Sequence, residues 1–198
     1  MIQENEKDVR GFEAAVERYG CPLIRCYTFQ TDKTIFDEGK AGLAQRTHEV
    51  VVLLRRLNGR YLVHTKSFYP EGVYRLLSGG IKPGEDLLAA LRREVREETS
   101  LRIGIERFLG VLRYRFIEPT LHRAFTSYLF SVAETGGVLK RNDPHEEISD
   151  YREMALHDLT SVAEQLESLP EAWATWGRFR AAAHRLAVEV LTKTYEQE

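Results

Sequence analysis

Three closely spaced glutamates, Glu94, Glu97 and Glu98, are the residues of this sequence whose types and spacing best suit chemistry. On a helix, positions three and four apart share one side, and here that side overlaps the apolar stripe that includes Leu91 and Val95. Like charges at i, i+4 repel, and anions near a helix C-terminus cost about 0.3 to 1 kcal/mol each. A hard divalent cation, Mg²⁺ or Mn²⁺, would compensate for these costs. The spacing therefore predicts a metal site.

The simpler interpretation is a solvated acidic helix face, held by the i, i+4 pair of Arg93 and Glu97. The surrounding residues favour the metal site, because the stretch GGIKPGEDLLAALRREVREETSL resembles the Nudix box, G x5 E x7 REUxEExGU with U aliphatic. Eight of the nine fixed positions match, and Ser100 stands where the family has glycine. A glycine there usually adopts a left-handed conformation that costs another residue roughly 1 kcal/mol. Ser100 therefore alters the expected helix exit and removes no ligand.

The resemblance implies a role for each box position. In the family, metal ions are bound by the glutamates of the REUxEE segment and by a backbone carbonyl just ahead of the box, which correspond here to Glu94, Glu97, Glu98 and Ser78. Support of the site is expected from the arginine, the first glutamate and the opening glycines, which are Arg93, Glu85, Gly79 and Gly80. The glutamates of the REUxEE segment are thus the expected catalytic residues, with Glu98 foremost.

The general base has two candidate sources. Family members take it from the box or from a glutamate on a late loop, and the loop RNDPHEEISD supplies Glu146 and Glu147. Such a carboxylate must lie within hydrogen-bond reach of the attacking water. An ordinary acidic loop without a catalytic role explains Glu146 and Glu147 equally well. The general base can therefore come from the box or from this loop.

Four further side chains are candidates for substrate binding. Arg75 lies on a short strand entering the site, and Arg113 and Arg115 share one face of a later strand, so each is a candidate phosphate ligand. Tyr74 is a candidate for stacking on a base. Plain surface charge is the alternative for the arginines, and packing is the alternative for the tyrosine.

The resemblance implies metal-dependent hydrolysis of a diphosphate linkage in a nucleoside diphosphate derivative. ADP-ribose or a nucleotide sugar is the favoured substrate, and a nucleoside triphosphate comes second. The competing function is a non-catalytic Nudix-fold module that senses a nucleotide. Loss of box glutamates would favour that alternative, and none is lost here.

The elements around the box predict an α+β fold. An N-terminal helix ends at Gly20, two short strands lie around 31–33, and the runs EVVVLLRRL and RYLVHTK form a hairpin whose dipeptide Asn58–Gly59 suits a type I′ turn. The strand YRLLS leads into a helix over about 86–99. Three later strands are predicted at LGVLRYRFI, AFTSYLFSVAE and YREMALHDL, with a long loop over 136–150, and two helices follow at 159–169 and 171–195. This order fits the Nudix α/β/α sandwich with a mixed sheet.

The chain divides into an N-terminal extension (1–46), a Nudix core (47–160) and C-terminal helices (161–198) that pack on the core or in a dimer contact. With 28 basic and 30 acidic residues it lacks the positive field that binds long nucleic acids. A charged start and the lack of an apolar run of about 20 residues argue against membrane insertion and favour the cytoplasm. The expected partners are a small nucleotide diphosphate substrate and a second copy in a homodimer.

Overall fold

The computed structural model describes residues 9–30, 46–117, 122–140 and 147–195. These residues form one mixed sheet and four helices. The strands are β1 (Leu23–Gln30), β2 (His48–Arg55), β3 (Tyr61–Lys66), β4 (Arg75–Gly80), β5 (Leu101–Ile117), β6 (His122–Gly137) and β7 (Ile148–Met154). The helices are α1 (Phe12–Tyr19), α2 (Leu87–Thr99), α3 (Asp158–Glu167) and α4 (Glu171–Tyr195).

The sheet has the strand order β1-β5-β6-β2-β4-β3-β7. The pairs β1–β5 and β2–β6 are parallel, and the other neighbours are antiparallel. Alternate residues of β2 face opposite sides: Val50 and Val52 pack with α1 and α2, whereas Val51 and Leu53 pack with α3 and α4. The predicted α/β/α sandwich with a mixed sheet is confirmed. None of the described helices is long and apolar enough to cross a membrane.

The predicted β2–β3 hairpin forms, but its turn is different from the one predicted. Gly59 has a φ of 81°, whereas Asn58 does not have a positive φ. A type I′ turn needs positive φ at both central residues. Instead, the N–H of Gly59 donates to the carbonyl of Arg56 at 2.9 Å, and the N–H of Arg56 donates to the carbonyl of Arg60 at 2.7 Å. This is a longer loop that ends on a left-handed glycine, and the Asn58 amide bonds Glu153 at 2.7 Å.

Beyond the turn, β4 enters between β2 and β3. The two hairpin strands pair directly only at Leu54–Leu62 and Arg55–Tyr61, after which β4 is antiparallel to both of them. The strand that opens the box is therefore hydrogen-bonded on both edges. All six of its residues are buried.

The strands β5 and β6 are longer than the sequence pattern predicts. Pairing begins at Leu101 and is interrupted by bulges between Arg102 and Ile103, between Ile105 and Arg107, and between Phe108 and Gly110. Each bulge shifts the inward and outward alternation, so the pattern hides the first half of β5.

The long loop predicted over 136–150 is shorter in the structure, because β6 continues to Gly137 and β7 begins at Ile148. Of this loop, 141–146 lies outside the described residues. Of the two short strands predicted around 31–33, β1 is the first, and the second falls outside the described residues.

Helix α2 has a strong start and a strained end. The Asp86 carboxylate caps the helix by accepting the N–H groups of Leu88 and Ala89 at 3.0 and 3.2 Å. At the other end Ser100 adopts the left-handed conformation, with φ 60°, and its N–H donates to the carbonyl of Arg96. The helix therefore ends where the family has glycine, with the backbone conformation that glycine favours. The Ser100 hydroxyl is also buried without a hydrogen-bond partner among the described residues.

Replacing Ser100 with glycine should stabilise the protein. The substitution removes the left-handed strain of a residue with a Cβ and a buried unsatisfied hydroxyl, so we expect the free energy of unfolding to rise by about 1 kcal/mol in urea denaturation. Ser161→Gly, at an exposed position within α3, is the control and should lower stability by roughly 0.5 kcal/mol, since glycine is the poorer helix former. A destabilised Ser100→Gly protein would contradict this account of the helix exit.

Helix α4 is anchored to β4 through His184. The Nε2 atom of His184 accepts the backbone N–H of Leu76 at 3.0 Å, and its Nδ1 lies 2.9 Å from the carbonyl of Arg180, to which it donates when neutral. Burial is the main cause that lowers the pKa of His184 to about 4, and the charges of Arg75 and Arg180 act in the same direction. His184 is therefore a neutral connection between helix and strand at neutral pH.

The stability that His184 contributes should decrease as the pH is lowered from neutral. Its pKa is about 4 in the folded protein and about 6.5 in an unfolded chain, so the unfolded state takes up the proton first. The contribution is complete above about pH 6.5 and decreases by about 2 kcal/mol by about pH 5. The stability difference between wild type and His184→Gln should shrink accordingly in urea denaturation. The exposed His157→Gln is the control, and a difference independent of pH would refute the role of His184.

Candidate active site

The guanidinium of Arg93 connects the loop, the helix and the strand of the box. Its Nε and Nη2 donate to the two carboxylate oxygens of Glu85 at 2.7 and 2.8 Å. Its Nη1 donates to Glu94 at 2.7 Å and to Glu97 at 2.8 Å, and Nη2 also donates to the carbonyl of Gly80 at 2.9 Å. One cation is thus shared by three carboxylates and a β4 carbonyl.

These contacts leave the group with an excess of negative charge. The hydrogen bonds to Glu85 are the largest cause that raises the pKa of Arg93, and the same contacts lower the pKa of Glu85. Three carboxylates face one guanidinium, and Glu94 is only 5% exposed. Partly buried charge that is not balanced is costly, so the cluster favours an additional cation.

Glycine at position 79 lets Glu94 lie against the sheet. A Cβ on Gly79 would lie 1.8 Å from the carboxyl carbon of Glu94, so a larger residue would displace this side chain. A Cβ on Gly80 would meet the side chain of Arg46 at 2.6 Å. Gly79 therefore lets the Glu94 carboxylate lie directly beside the backbone that follows Ser78, and Gly80 leaves room for Arg46.

Glu98 lies deeper than the other two box glutamates. It is fully buried, and its Oε1 is 3.9 Å from Nδ1 of His64 on β3. Neither ring nitrogen of His64 has a hydrogen-bond partner among the described residues. Burial, and then the charge of Arg75, lower the pKa of His64 well below its ordinary value, so this ring is neutral. The Tyr151 hydroxyl also donates to the backbone carbonyl of Glu98.

The donor set suits a hard divalent cation. The carboxylates of Glu94, Glu97 and Glu98 are oxygen ligands of the kind that Mg²⁺ and Mn²⁺ prefer. Within the part of the chain that the structure describes, no three His, Cys, Asp or Glu side chains converge on a common metal position. Arg93 holds Glu94 and Glu97, while Glu98 faces His64. Binding of a cation by all three therefore requires the Glu98 side chain to turn from His64 towards Glu94 and Glu97.

The other sequence candidates lie in different surroundings. Arg75 is buried, whereas Arg113 is half-buried and Arg115 exposed on β5, which is three strands from β4 and so roughly 14 Å away. The buried Tyr74 donates its hydroxyl to Asp150 at 2.5 Å, beneath the guanidinium of Arg152.

Of the two loop glutamates, Glu147 is exposed immediately before β7, with a φ of 51°. Glu146 lies outside the described residues.

Sequence reasoning missed His64. The only signal was a single histidine on a strand that is otherwise apolar at the same face, where Leu62 packs with α2. A lone histidine in such a position is more often part of the core. That His64 lies beside Glu98 can be seen only from the fold, because the two residues belong to β3 and α2.

A family model described as the NUDIX domain matches residues 45–176, which is more than half of the chain. The chain belongs to the Nudix family. Nudix hydrolases are pyrophosphohydrolases that use divalent metal ions and bind small nucleotide substrates, so this Nudix protein is an enzyme of that class.

Solved structures share the Nudix fold. A MutT protein from Methanosarcina mazei Go1 is 23% identical with a TM-score of 0.50, over 73% of this chain and 96% of that one. A UDP-X diphosphatase is 17% identical with a TM-score of 0.51, over 81% of this chain and 69% of that one. No significant match is found among curated proteins. At this identity the likeness concerns the fold of the Nudix protein.

The substitution Gly79→Ala should displace Glu94 and weaken metal binding. Its new methyl group would occupy the position of the Glu94 carboxylate, and we expect Mn²⁺ affinity, measured by electron paramagnetic resonance, to fall at least about tenfold. Gly104→Ala is the matched control, because its Cβ would meet only Thr135, at an ordinary 3.6 Å. Unchanged Mn²⁺ affinity in folded Gly79→Ala protein would exclude Glu94 as a ligand.

Proposed function

We propose that this Nudix protein hydrolyses a diphosphate linkage in a nucleoside diphosphate derivative and depends on Mg²⁺, with Mn²⁺ as a substitute. The observation that carries the proposal is the shared guanidinium of Arg93. One positive charge serves the three carboxylates of Glu85, Glu94 and Glu97, and the buried Glu98 lies on the same helix. A divalent cation would offset this excess negative charge and would in turn attract an anionic diphosphate.

In the proposed mechanism Glu94, Glu97 and Glu98 hold the cation with the backbone carbonyl of Ser78. A divalent ion in this position neutralises charge on phosphoryl oxygens and lowers the pKa of water. Arg93 keeps the Glu97 and Glu94 carboxylates oriented, and Glu85 fixes Arg93 through two hydrogen bonds. Catalysis then depends on positioning by a shell whose members restrain one another.

The chemical step is attack by water on one phosphorus of the diphosphate. A bond forms from the water oxygen to phosphorus, and the bond from that phosphorus to the bridging oxygen breaks. A nucleoside monophosphate and a second phosphorylated product leave. A carboxylate takes the water proton, and we propose a box glutamate or Glu147 with its neighbour Glu146 as this base.

ADP-ribose or a nucleotide sugar is the substrate that we propose first, with nucleoside triphosphates second. The N-terminal extension supports this ranking, because Nudix proteins that cleave ADP-ribose often have an extension that builds additional strands. In this chain the extension contributes α1 and also β1, which pairs with β5 at the edge of the sheet. Retention of all box glutamates argues against the alternative of a nucleotide sensor without catalysis. Substrate choice depends on loops outside the box, so the chemistry of the box residues does not determine it.

A substrate panel tests this proposal. Purified protein with Mg²⁺ or Mn²⁺ should convert ADP-ribose or a nucleotide sugar to products whose phosphate a phosphatase then releases. Dinucleoside polyphosphates and triphosphates complete the panel. Glu98→Gln keeps the side-chain size and removes the charge, so its rate should fall at least about a hundredfold with the fold intact. The exposed Glu164→Gln on α3 is the matched control and should keep the wild-type rate.

Two results would contradict the proposal. Absence of metal-dependent turnover across the whole panel would refute hydrolysis. A decrease of only a few-fold in Glu98→Gln would place the metal site elsewhere.

A further inference from the structure

The N-terminal helix α1 lies against the start of the box helix α2. Ala15 of α1 is buried in the same apolar cluster as Leu87 and Leu91 of α2. The ring of Phe12 also meets that of Phe108 on β5 edge to face, with 5.8 Å between the ring centroids. Helix α1 is thus packed against both the sheet and α2, and this packing brings the residues at its start beside the box.

Two contacts join the start of α1 to the start of α2. The backbone carbonyl of Arg10 accepts the N–H of Leu87 at 2.8 Å. This N–H belongs to the first turn of α2, where donors have no partner within the helix itself. The second contact is steric, because a Cβ on Gly11 would lie 2.1 Å from Oδ2 of Asp86. The N-terminal segment therefore both bonds the first turn of α2 and lies in close contact with its cap.

Position 11 suits glycine for two reasons. Its φ is 85°, in the left-handed region that glycine favours, and the three atoms that a Cβ would meet first all belong to the Asp86 side chain. That side chain is not free to move aside, because its Oδ1 accepts the N–H groups of Leu88 and Ala89. A side chain at position 11 would therefore displace either α1 or the start of α2, and in both cases the contact between them would be lost.

The residue before this cap belongs to the active-site cluster. Glu85 accepts two hydrogen bonds from Arg93, at 2.7 and 2.8 Å. Nη1 of Arg93 in turn donates to Glu94 and Glu97. A single peptide unit separates Asp86 from Glu85, so a shift of the cap moves Glu85 relative to Arg93. The position of the cap thus affects the orientation of the cluster.

We propose that helix α1 is a positioning element of the active site. Gly11 and the Arg10 carbonyl hold the start of α2 in place. Asp86 and Glu85 connect that start to Arg93 and to the glutamates of the box. The role of those glutamates as cation ligands rests on the proposed function. Partners that orient metal ligands typically change metal affinity by about 10- to 100-fold when they are replaced, and α1 acts one step farther from the ligands, so we expect an effect of at least about fivefold.

The glycines at the two ends of α1 form a matched pair for a test. Gly11 and Gly20 both have a left-handed φ, 85° and 92°, but a Cβ on Gly20 would meet no atom of the described residues within 4 Å. The affinity for Mn²⁺, measured by electron paramagnetic resonance, should fall at least about fivefold in Gly11→Ala and stay at the wild-type value in Gly20→Ala. Amide hydrogen exchange at Leu88 and Ala89 should become faster in Gly11→Ala alone.

A second-site substitution separates the contact with Asp86 from general damage. Glycine is tolerated at an N-cap, so Asp86→Gly keeps the helix start and removes the side chain that the new methyl group would meet. The double variant Gly11→Ala/Asp86→Gly should therefore bind Mn²⁺ as tightly as Asp86→Gly alone. If Gly11→Ala does not fold by itself, a folded double variant demonstrates the same contact, and a double variant that also fails to fold contradicts it.

Three results would overturn the positioning role. They are wild-type Mn²⁺ affinity in Gly11→Ala, an equal loss in Gly11→Ala and Gly20→Ala, and a double variant that binds Mn²⁺ more weakly than Asp86→Gly. None of these measurements depends on turnover. Wild type that hydrolyses nothing in the substrate panel but shows the expected Mn²⁺ pattern would refute hydrolysis and still support the positioning role.

Discussion

One guanidinium group determines how the parts of the active site fit together. Arg93 bonds the loop through Glu85, the helix through Glu94 and Glu97, and the strand through the Gly80 carbonyl. Each carboxylate alone would repel the next, and their common partner makes the cluster stable enough to fold. The excess negative charge that remains is the basis of the proposed metal binding. The stability of the cluster and its proposed function therefore both depend on the guanidinium of Arg93.

The strand β4 carries this arrangement to the other side of the sheet. It pairs with β2 and β3, and its backbone follows directly into the glycines that admit Glu94. On the opposite face, His184 bonds the Leu76 N–H, and Arg180 bonds Glu49 next to Ser78. Helix α4 thus supports one face of β4, and the proposed metal ligand Glu94 contacts the other face.

The box itself was predictable from sequence because its contacts are local. Arg93, Glu94 and Glu97 share one helix turn, and Glu85 is eight residues away. The strand order within the α/β/α class, the bulges of β5 and the ion pair of Glu49 with Arg180 were not predictable in this way. Glu49 and Arg180 are 131 residues apart, and each alone is an ordinary charged residue. The dipeptide Asn58–Gly59 led to a wrong prediction of a type I′ turn for a similar reason. In the different turn that forms, the Asn58 side chain bonds Glu153, which is distant in the sequence.

The pairing of Glu49 with Arg180 also constrains how the chain folds during synthesis. The ribosome makes β2, with its inward-facing Glu49, long before the helix that brings the matching cation. Until α4 emerges, closing the sheet around this carboxylate would bury its charge without the guanidinium that bonds both of its oxygens. Burial of that end of β2 is therefore more favourable once α4 has been made than before.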